Sequence, residues 1–273
     1  MSNHVDPHGP VVIVTGASRG LGAAIAKWLV QTDAAVVLMA RSQKMLEQTA
    51  AVLSNDPNRI LVVAGDVANY YHCARCVKKT IDQFGQVDAL VNNAGTLTPL
   101  HPIATADPAL WNRNIQVNLG GPFNLTHAAL GELNKQKGRI INVSSGAAQA
   151  VVQGAGAYCV AKAGLNHLTR ITAAENPAVT VIAIRPGVVD TQMQATLRRE
   201  GPQAMPADQA AYYRNLHDNS QLEPPAVPGR SIAWLALYAP PALSGQFVNY
   251  DDDVIANAAT EKWGPITQES NRP

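Results

Sequence analysis

Tyr158 and Lys162 stand four residues apart in "GAYCVAKAGL" (156–165), a run of good helix formers. On a helix that spacing puts a phenol and an ammonium on one face, one turn apart. Two meanings compete: an ordinary i,i+4 surface contact, or a proton donor beside the cation that tunes it. A phenol with a reference pKa near ~10 exchanges protons poorly at neutral pH, and a nearby positive charge favours its ionised form.

A second group with chemical potential is "VVIVTGASRGLG" (11–22), a strand running into Gly16-x-x-x-Gly20-x-Gly22 and then a helix. Glycines let the backbone turn tightly and approach a pyrophosphate seated on the free N–H groups of the helix N-terminus. Such a pattern says little alone and becomes specific at the first strand-to-helix turn of a βαβ series. A site for NAD(H) places Asp or Glu at the end of the second strand, to accept from the ribose 2′-OH. Here that strand ends "VVLMARSQ", with Ala40 followed by Arg41. Arg41 suits a 2′-phosphate, and Arg19 in the glycine loop could flank the same group, which points to NADP(H) over NAD(H). An arginine after a strand also commonly just faces solvent. Asp66 in "AGDV" ends the third strand and would accept from an adenine amino group or cap the next helix.

Cys73 and Cys76 form a CxxC in "YYHCARCVKK", but no second CxxC or nearby His pair completes a tetrahedral metal site. Three cysteines, an odd number, do not suggest a disulfide framework. The expectation is two helix-face thiols and no metal. Charge is nearly balanced, net +1, without a block of like charges, so a nucleic-acid partner is not suggested. The opening "MSNHVDPHGP" is unlike a signal peptide, and no apolar run approaches the ~18–20 residues that span a bilayer. A soluble, cytoplasmic setting is expected.

These groups need a frame, and the chain supplies one. Short Val/Ile/Leu runs alternate with helical patterns from Val11 onward. The seven strand candidates are "VVIVTG", "AAVVLMAR", "RILVVAGDV", "VDALVNNAG", "GRIINVSS", "VTVIAIRPG" and "GQFVNY". Continuous rather than alternating apolar runs predict strands buried on both faces, and intervening helices predict parallel crossovers. The fold class is therefore α/β: one doubly wound domain with a seven-stranded parallel sheet and helices on both faces. One long helix is expected across "ALWNRNIQVNLGGPFNLTHAALGEL". Residues 191–228, amphipathic and proline-containing, follow the sixth strand, where a substrate lid belongs in such sheets; a mobile surface excursion is the plainer reading. Residues 256–273 read as a loosely held tail.

Taken together, "TGASRGLG" (15–22), "GDV" (65–67), "NNAG" (92–95), Asn118 in "VNLGGPF", "NVSS" (142–145), "YCVAK" (158–162) and "RPGVVDT" (185–191) resemble the short-chain dehydrogenase/reductase family. They run in the family's order and cover about residues 10 to 250. The resemblance implies a Rossmann-type domain, with its core over about residues 10–255, that uses NAD(P)(H) through a Ser–Tyr–Lys centre assisted by Asn. The cofactor residues it implies are Gly16, Ser18, Arg19, Gly20, Leu21 and Gly22 in the loop, Arg41, Asp66 and Val67, then Asn93, Ala94 and Gly95. To these it adds Tyr158, Lys162, Pro186 and Gly187, with Val189 and Thr191 at the nicotinamide carboxamide.

Hydride transfer to a carbonyl leaves an alkoxide that must be protonated as it forms. In that scheme Tyr158 donates, and Lys162 tunes it and reaches the nicotinamide ribose. Ser145, thirteen residues before Tyr158, matches the family spacing for the hydroxyl that holds the carbonyl oxygen. Strand alternation sends its rival Ser144 to the other face. Asn118 would hold a water that relays protons from Lys162, or serve as a capping or packing amide. The C-terminal half, with "AYCVAKAG", "ENPAVTVIAIRPGVVDTQMQ" and "SGQFVNYDD", resembles sepiapterin reductases and their fungal relatives that reduce diketones. Pterin-reducing members hold the pterin with an aspartate near the last strand, where Asn249 stands here and Asp251 to Asp253 follow. The expected substrate is thus a small ketone, a diketone or a pterin side-chain carbonyl. The chain is expected to form a homodimer or homotetramer on its long helices. The alternative is a catalytically idle NADP-binding sensor or scaffold.

Overall fold

The computed structural model describes residues 9–266, apart from 55 and 57. The apolar runs form β1 (Val11–Thr15), β2 (Ala35–Ala40), β3 (Ile60–Ala64), β4 (Ala89–Asn92), β5 (Arg139–Val143), β6 (Thr180–Arg185) and β7 (Phe247–Asn249). All pair in parallel, in the order β3-β2-β1-β4-β5-β6-β7. The order reverses between β1 and β4, so a crevice opens beyond the carboxyl ends of those two strands.

The first helices are α1 (Gly20–Leu29), α2 (Gln43–Leu53), α3 (Tyr70–Phe84), α4 (Pro108–Ile115) and α5 (Gly121–Gln136). They are followed by α6 (Gly156–Glu175), α7 (Gln192–Glu200), α8 (Ala207–Asp218), α9 (Ala226–Tyr238) and α10 (Asp253–Trp263). Alternate residues of each strand feed two cores. Val12 and Val14 pack with Ile25 of α1, Ile232 of α9 and Ile255 of α10. Val11 and Ile13 pack with Cys73 and Phe84 of α3 and Leu125 of α5. Burial on both faces is the reason the strands read as unbroken apolar runs.

Two segments differ from the sequence expectation, and a third gains definition. The long helix divides into α4 and α5 around a π-turn at Gln116–Gly120. Asp107 starts α4 by accepting from the Ala109 and Leu110 N–H groups, with Pro108 in the first turn. Residues 191–228, where a substrate lid is expected, hold two helices, α7 and α8, and the start of α9. The expectation of a loose tail from residue 256 is overturned as far as the described residues reach. Ile255 and Ala259 are buried, Trp263 lies 5.7 Å from the Trp28 ring, and Arg230 donates to the Gly264 carbonyl at 2.7 Å. The last seven residues of that tail lie outside the described residues.

Buried polar groups link the middle of the sheet to α6. The Asn92 amide donates to Asn142 at 2.8 Å, and Asn142 donates in turn to the Thr169 hydroxyl at 2.9 Å. Ser144 donates to Asn166 at 2.6 Å. Each bond leaves about 1–3 kcal/mol at stake if one partner is orphaned. Together they fix the rotation and height of the helix that carries Tyr158 and Lys162.

Candidate active site

The glycine loop is shaped by close backbone approach. Gly16 has φ +66°, and a Cβ there would sit 2.9 Å from the Ala94 Cα. At Gly22 a Cβ would meet the Gly16 carbonyl oxygen at 2.3 Å and the Asn93 side-chain nitrogen at 2.6 Å. Thr15 stitches the loop to the end of β4, its hydroxyl accepting from the Asn93 and Ala94 N–H groups at 2.9 and 3.0 Å. The Asn93 amide returns a bond to the Thr15 carbonyl at 2.8 Å. Thr15 opens the "TGASRGLG" motif, yet the sequence reading gave it no role at the site.

Helix α1 begins at Gly20 with no side-chain cap, so no side chain competes with an anion at its N-terminus. Leu21 packs on the core beneath, and the Ser18 carbonyl accepts from Thr49 at 3.1 Å. Arg19 and Arg41 are exposed at the two sides of the loop's mouth. A loop with no room for a Cβ at Gly16 or Gly22, an uncapped helix end and two exposed guanidinium groups fit a phosphate-bearing dinucleotide.

Asp66 is more occupied than its sequence position implies. Its carboxylate pairs with Arg113 of α4 and accepts from the Ala68 N–H at 3.0 Å. Burial works to raise its pKa, but these two contacts and the Arg41 charge outweigh it and hold the carboxyl below its usual range. Arg113 carries no motif signal, and only the fold brings it to β3. Val67 is buried, and its carbonyl accepts from Asn124 at 2.9 Å.

The loop after β6 closes the crevice from the other side. Thr191 lies 3.3 Å from where a Gly20 Cβ would stand, and Val189 pairs with Glu223 in a parallel bridge. Pro186 is buried, and Gly187 adopts φ +76°.

Ser145, Tyr158 and Lys162 converge beside this crevice. The Ser145 hydroxyl faces the Tyr158 phenol, whereas Ser144 points away to Asn166. Lys162 is buried, donates to the Val143 carbonyl at 2.7 Å and lies 5.6 Å from the centre of the Tyr158 ring. Burial pushes the Tyr158 phenol up to about 12; the Ser145 hydroxyl opposes this, and Cys159 and Tyr213 add to it. Burial pulls Lys162 down to about 8. The phenol acidified by a neighbouring lysine, which the sequence spacing suggests, is therefore not present in the chain by itself. Both groups carry their protons at neutral pH, which is the charge state of a proton donor.

Asn118 sits inside the π-turn and is fully buried. Its side-chain oxygen accepts from the Thr96 N–H at 3.1 Å, and its amide donates to the Thr96 carbonyl at 2.7 Å and to Asn114 at 2.8 Å. The amide is thus spent on packing the loop after β4. Gly95 belongs to the same contact, since a Cβ there would lie 2.9 Å from the Asn118 side-chain oxygen.

Above Tyr158 lies a third apolar cluster, which includes Leu97, Leu100, Val152, Met193, Leu197 and Tyr213. Helices α7 and α8 supply its upper part. Asn249 is turned inward: both its backbone N–H and its side-chain amide donate to Asp252, at 2.9 and 3.1 Å. Cys73 and Cys76 are buried on α3, and burial pushes each thiol up to about 12. Among the described residues, no three His, Cys, Asp or Glu side chains gather as metal ligands.

A parallel sheet with this glycine cradle and this Ser–Tyr–Lys group defines a class of oxidoreductase, and comparison with known proteins agrees. Residues 10–201 match the short chain dehydrogenase family, and the chain belongs to it. Its relatives include an uncharacterized oxidoreductase of Saccharomyces cerevisiae, 35% identical over 91% of this chain and 98% of that protein. The crystal structure of a yeast short chain dehydrogenase/reductase superposes with a TM-score of 0.87, at 35% identity over 91% of this chain and 99% of that one. A benzil reductase of the same yeast, named for forming (S)-benzoin, is 33% identical over 94% of this chain and 99% of its own.

Proposed function

We propose that the chain is an NADPH-dependent reductase of a small, uncharged ketone or diketone. The observation that carries this reading is the meeting of Ser145, Tyr158 and Lys162 beside the glycine cradle and under an apolar roof. A nicotinamide dinucleotide held in that cradle supplies the hydride. Ser145 holds the carbonyl oxygen, and Tyr158 Oη gives its proton to that oxygen as negative charge develops there. Lys162, protonated below about pH 8, offers charge stabilisation and a proton behind the phenol. The Asn118 amide is committed to Thr96 and Asn114, so we give it the role of positioning the loop after β4 instead of holding a relay water. The apolar roof packs against Tyr158 and lowers the local dielectric, which strengthens electrostatic contacts beneath it.

Arg41 and Arg19 support NADPH, since no carboxylate stands at the end of β2 to accept from a ribose 2′-OH. The apolar lining supports a ketone or diketone over a pterin, whose ring nitrogens and amino group need polar partners. The mutual commitment of Asn249 and Asp252 leaves neither free to serve a pterin, and the benzil reductase among the relatives points the same way. Residues 191–228 act as the lid. Exposed Phe123 on α5 and Val160 and Ile171 on α6 support a homodimer or homotetramer built on those helices. No helix among the described residues is long and apolar enough to cross a membrane, and we place the enzyme in the cytoplasm.

The test is NADPH oxidation by purified protein over a panel of benzil, aliphatic diketones, simple ketones and sepiapterin, with Tyr158→Phe alongside. Turnover of the diaryl and diketone members, lost in Tyr158→Phe, is expected. Full activity in that variant would overturn the mechanism.

A further inference from the structure

The end of β6 and the loop after it, Arg185 to Asp190, are gripped by two residues far apart in sequence. From one side Glu223 spends both its backbone groups on the loop. Its N–H donates to the Val188 carbonyl at 2.9 Å, and its carbonyl accepts from the Asp190 N–H at 2.9 Å. From the other side the Tyr250 N–H donates to the Arg185 carbonyl at 3.0 Å. Between these anchors stands Gly187, and both side chains close over it. A Cβ at Gly187 would lie 3.0 Å from Tyr250 Cε1 and 3.3 Å from Glu223 Cγ. Burial and the facing Glu223 carboxylate raise the pKa of the Tyr250 phenol.

Glu223 is also where the excursion of residues 191–222 returns to the body of the domain. Its bridge to Val189 ties the two feet of α7 and α8 together. The segment that roofs Tyr158 and the loop after β6 thus share one anchor.

We propose that Glu223 and Tyr250 form a clasp that positions the loop of Pro186, Gly187 and Val189 against the bound dinucleotide and couples its placement to the seating of the lid. The two are positioning residues, since neither touches the reacting atoms. The inference rests on the reductase reading for its turnover arm, whereas its binding arm needs only a dinucleotide.

The experiment compares Tyr250→Phe, Glu223→Ala, Glu223→Gln and the double variant Tyr250→Phe/Glu223→Ala. Tm, NADPH Kd by fluorescence, and kcat and KM with benzil are measured for each. Tyr250→Phe and Glu223→Ala are expected to weaken NADPH binding and lower kcat by about fivefold, with the benzil KM moving less than twofold. Glu223→Gln still offers an oxygen to the phenol and is expected to stay within about twofold of wild type. The double variant is expected to be no worse than its worse parent, because the two side chains act as one unit. The clasp is overturned if Tyr250→Phe leaves Kd and kcat unchanged, if Glu223→Gln falls as far as Glu223→Ala, or if the two losses simply add. Wild-type protein that binds NADPH but reduces no carbonyl defeats the reductase reading while the Kd comparison still decides the clasp. Wild type that binds neither NADPH nor NADH defeats both.

Discussion

Lys162 donates to the Val143 carbonyl at 2.7 Å, which rests its charge against the end of β5 rather than on the Tyr158 hydroxyl. Burial leaves the phenol high, near 12, and pulls the ammonium low, near 8. For a reductase this predicts a falling limb: kcat/KM for carbonyl reduction declines as pH rises through about 8, where free enzyme loses the Lys162 proton. The stability sign follows from the same shift. The folded pKa lies below the unfolded value near ~10.4, so the buried charge opposes folding at neutral pH. That penalty fades as pH rises from about 8 toward the unfolded value. Lys162→Met is accordingly expected to keep or raise Tm at pH 7 while turnover falls by about a hundredfold or more. A variant that loses Tm in step with activity would show the lysine to be structural.

The two serines of "NVSS" separate chemistry from architecture. Ser145→Ala removes the hydroxyl facing Tyr158, which also caps the turn at the Ala147 N–H, and is expected to lower kcat by about 10²-fold at a stability cost of about 1 kcal/mol or less. Ser144→Ala instead orphans the Asn166 side-chain oxygen and is expected to destabilise the fold by about 1–3 kcal/mol, with modest kinetic change. Chemical denaturation and steady-state kinetics on both variants check this. The reverse pattern would assign the roles the other way round.

Sequence patterns carried the frame because burial on both faces leaves a readable signature: β1 to β6 are almost wholly apolar. The site's near-sequence parts were legible for a similar reason. Glycine loops and the Tyr–Lys helix are local, and a four-residue helical spacing fixes relative direction. What sequence could not show was assembled across distance. Arg113 reaches Asp66 over 47 positions, and Thr15 reaches Asn93 over 78. The apolar roof that α7 and α8 lay against Tyr158 is marked by no motif. Trp263 met the polar pattern of a tail, yet one aromatic contact with Trp28 and a helix holding Ile255 inward were enough to dock it.

Gly22 tests the cradle directly. A Cβ there would sit 2.3 Å from the Gly16 carbonyl oxygen, a backbone atom that has no rotamer to yield. Gly22→Ala must therefore push α1 away from the loop. We expect NADPH affinity to fall by at least tenfold and stability to drop by about 2–4 kcal/mol. Isothermal titration with NADPH and thermal unfolding measure the two effects. An alanine variant that binds NADPH normally would mean the close approach at Gly22 does not shape the phosphate site.

Arg41 tests the cofactor choice. Its guanidinium is exposed at the end of β2, and its positive charge contributes to holding Asp66 ionised nearby. A 2′-phosphate would gain a charge-assisted contact there, about 1.5–3 kcal/mol, equivalent to roughly 10–100-fold in affinity. Arg41→Asp replaces that donor with an acceptor suited to a free 2′-hydroxyl and repels a phosphate. The ratio of kcat/KM for NADPH to that for NADH is expected to fall by at least that factor, with the ketone KM little changed. Salt offers an independent reading, because 0.5 M chloride should weaken NADPH binding to wild type more than NADH binding, the extra 2′-phosphate charge being screened as well. If wild type shows no preference, or if Arg41→Asp leaves the ratio where it was, then Arg41 is a solvent-facing arginine and the preference for NADPH has no basis at the end of β2.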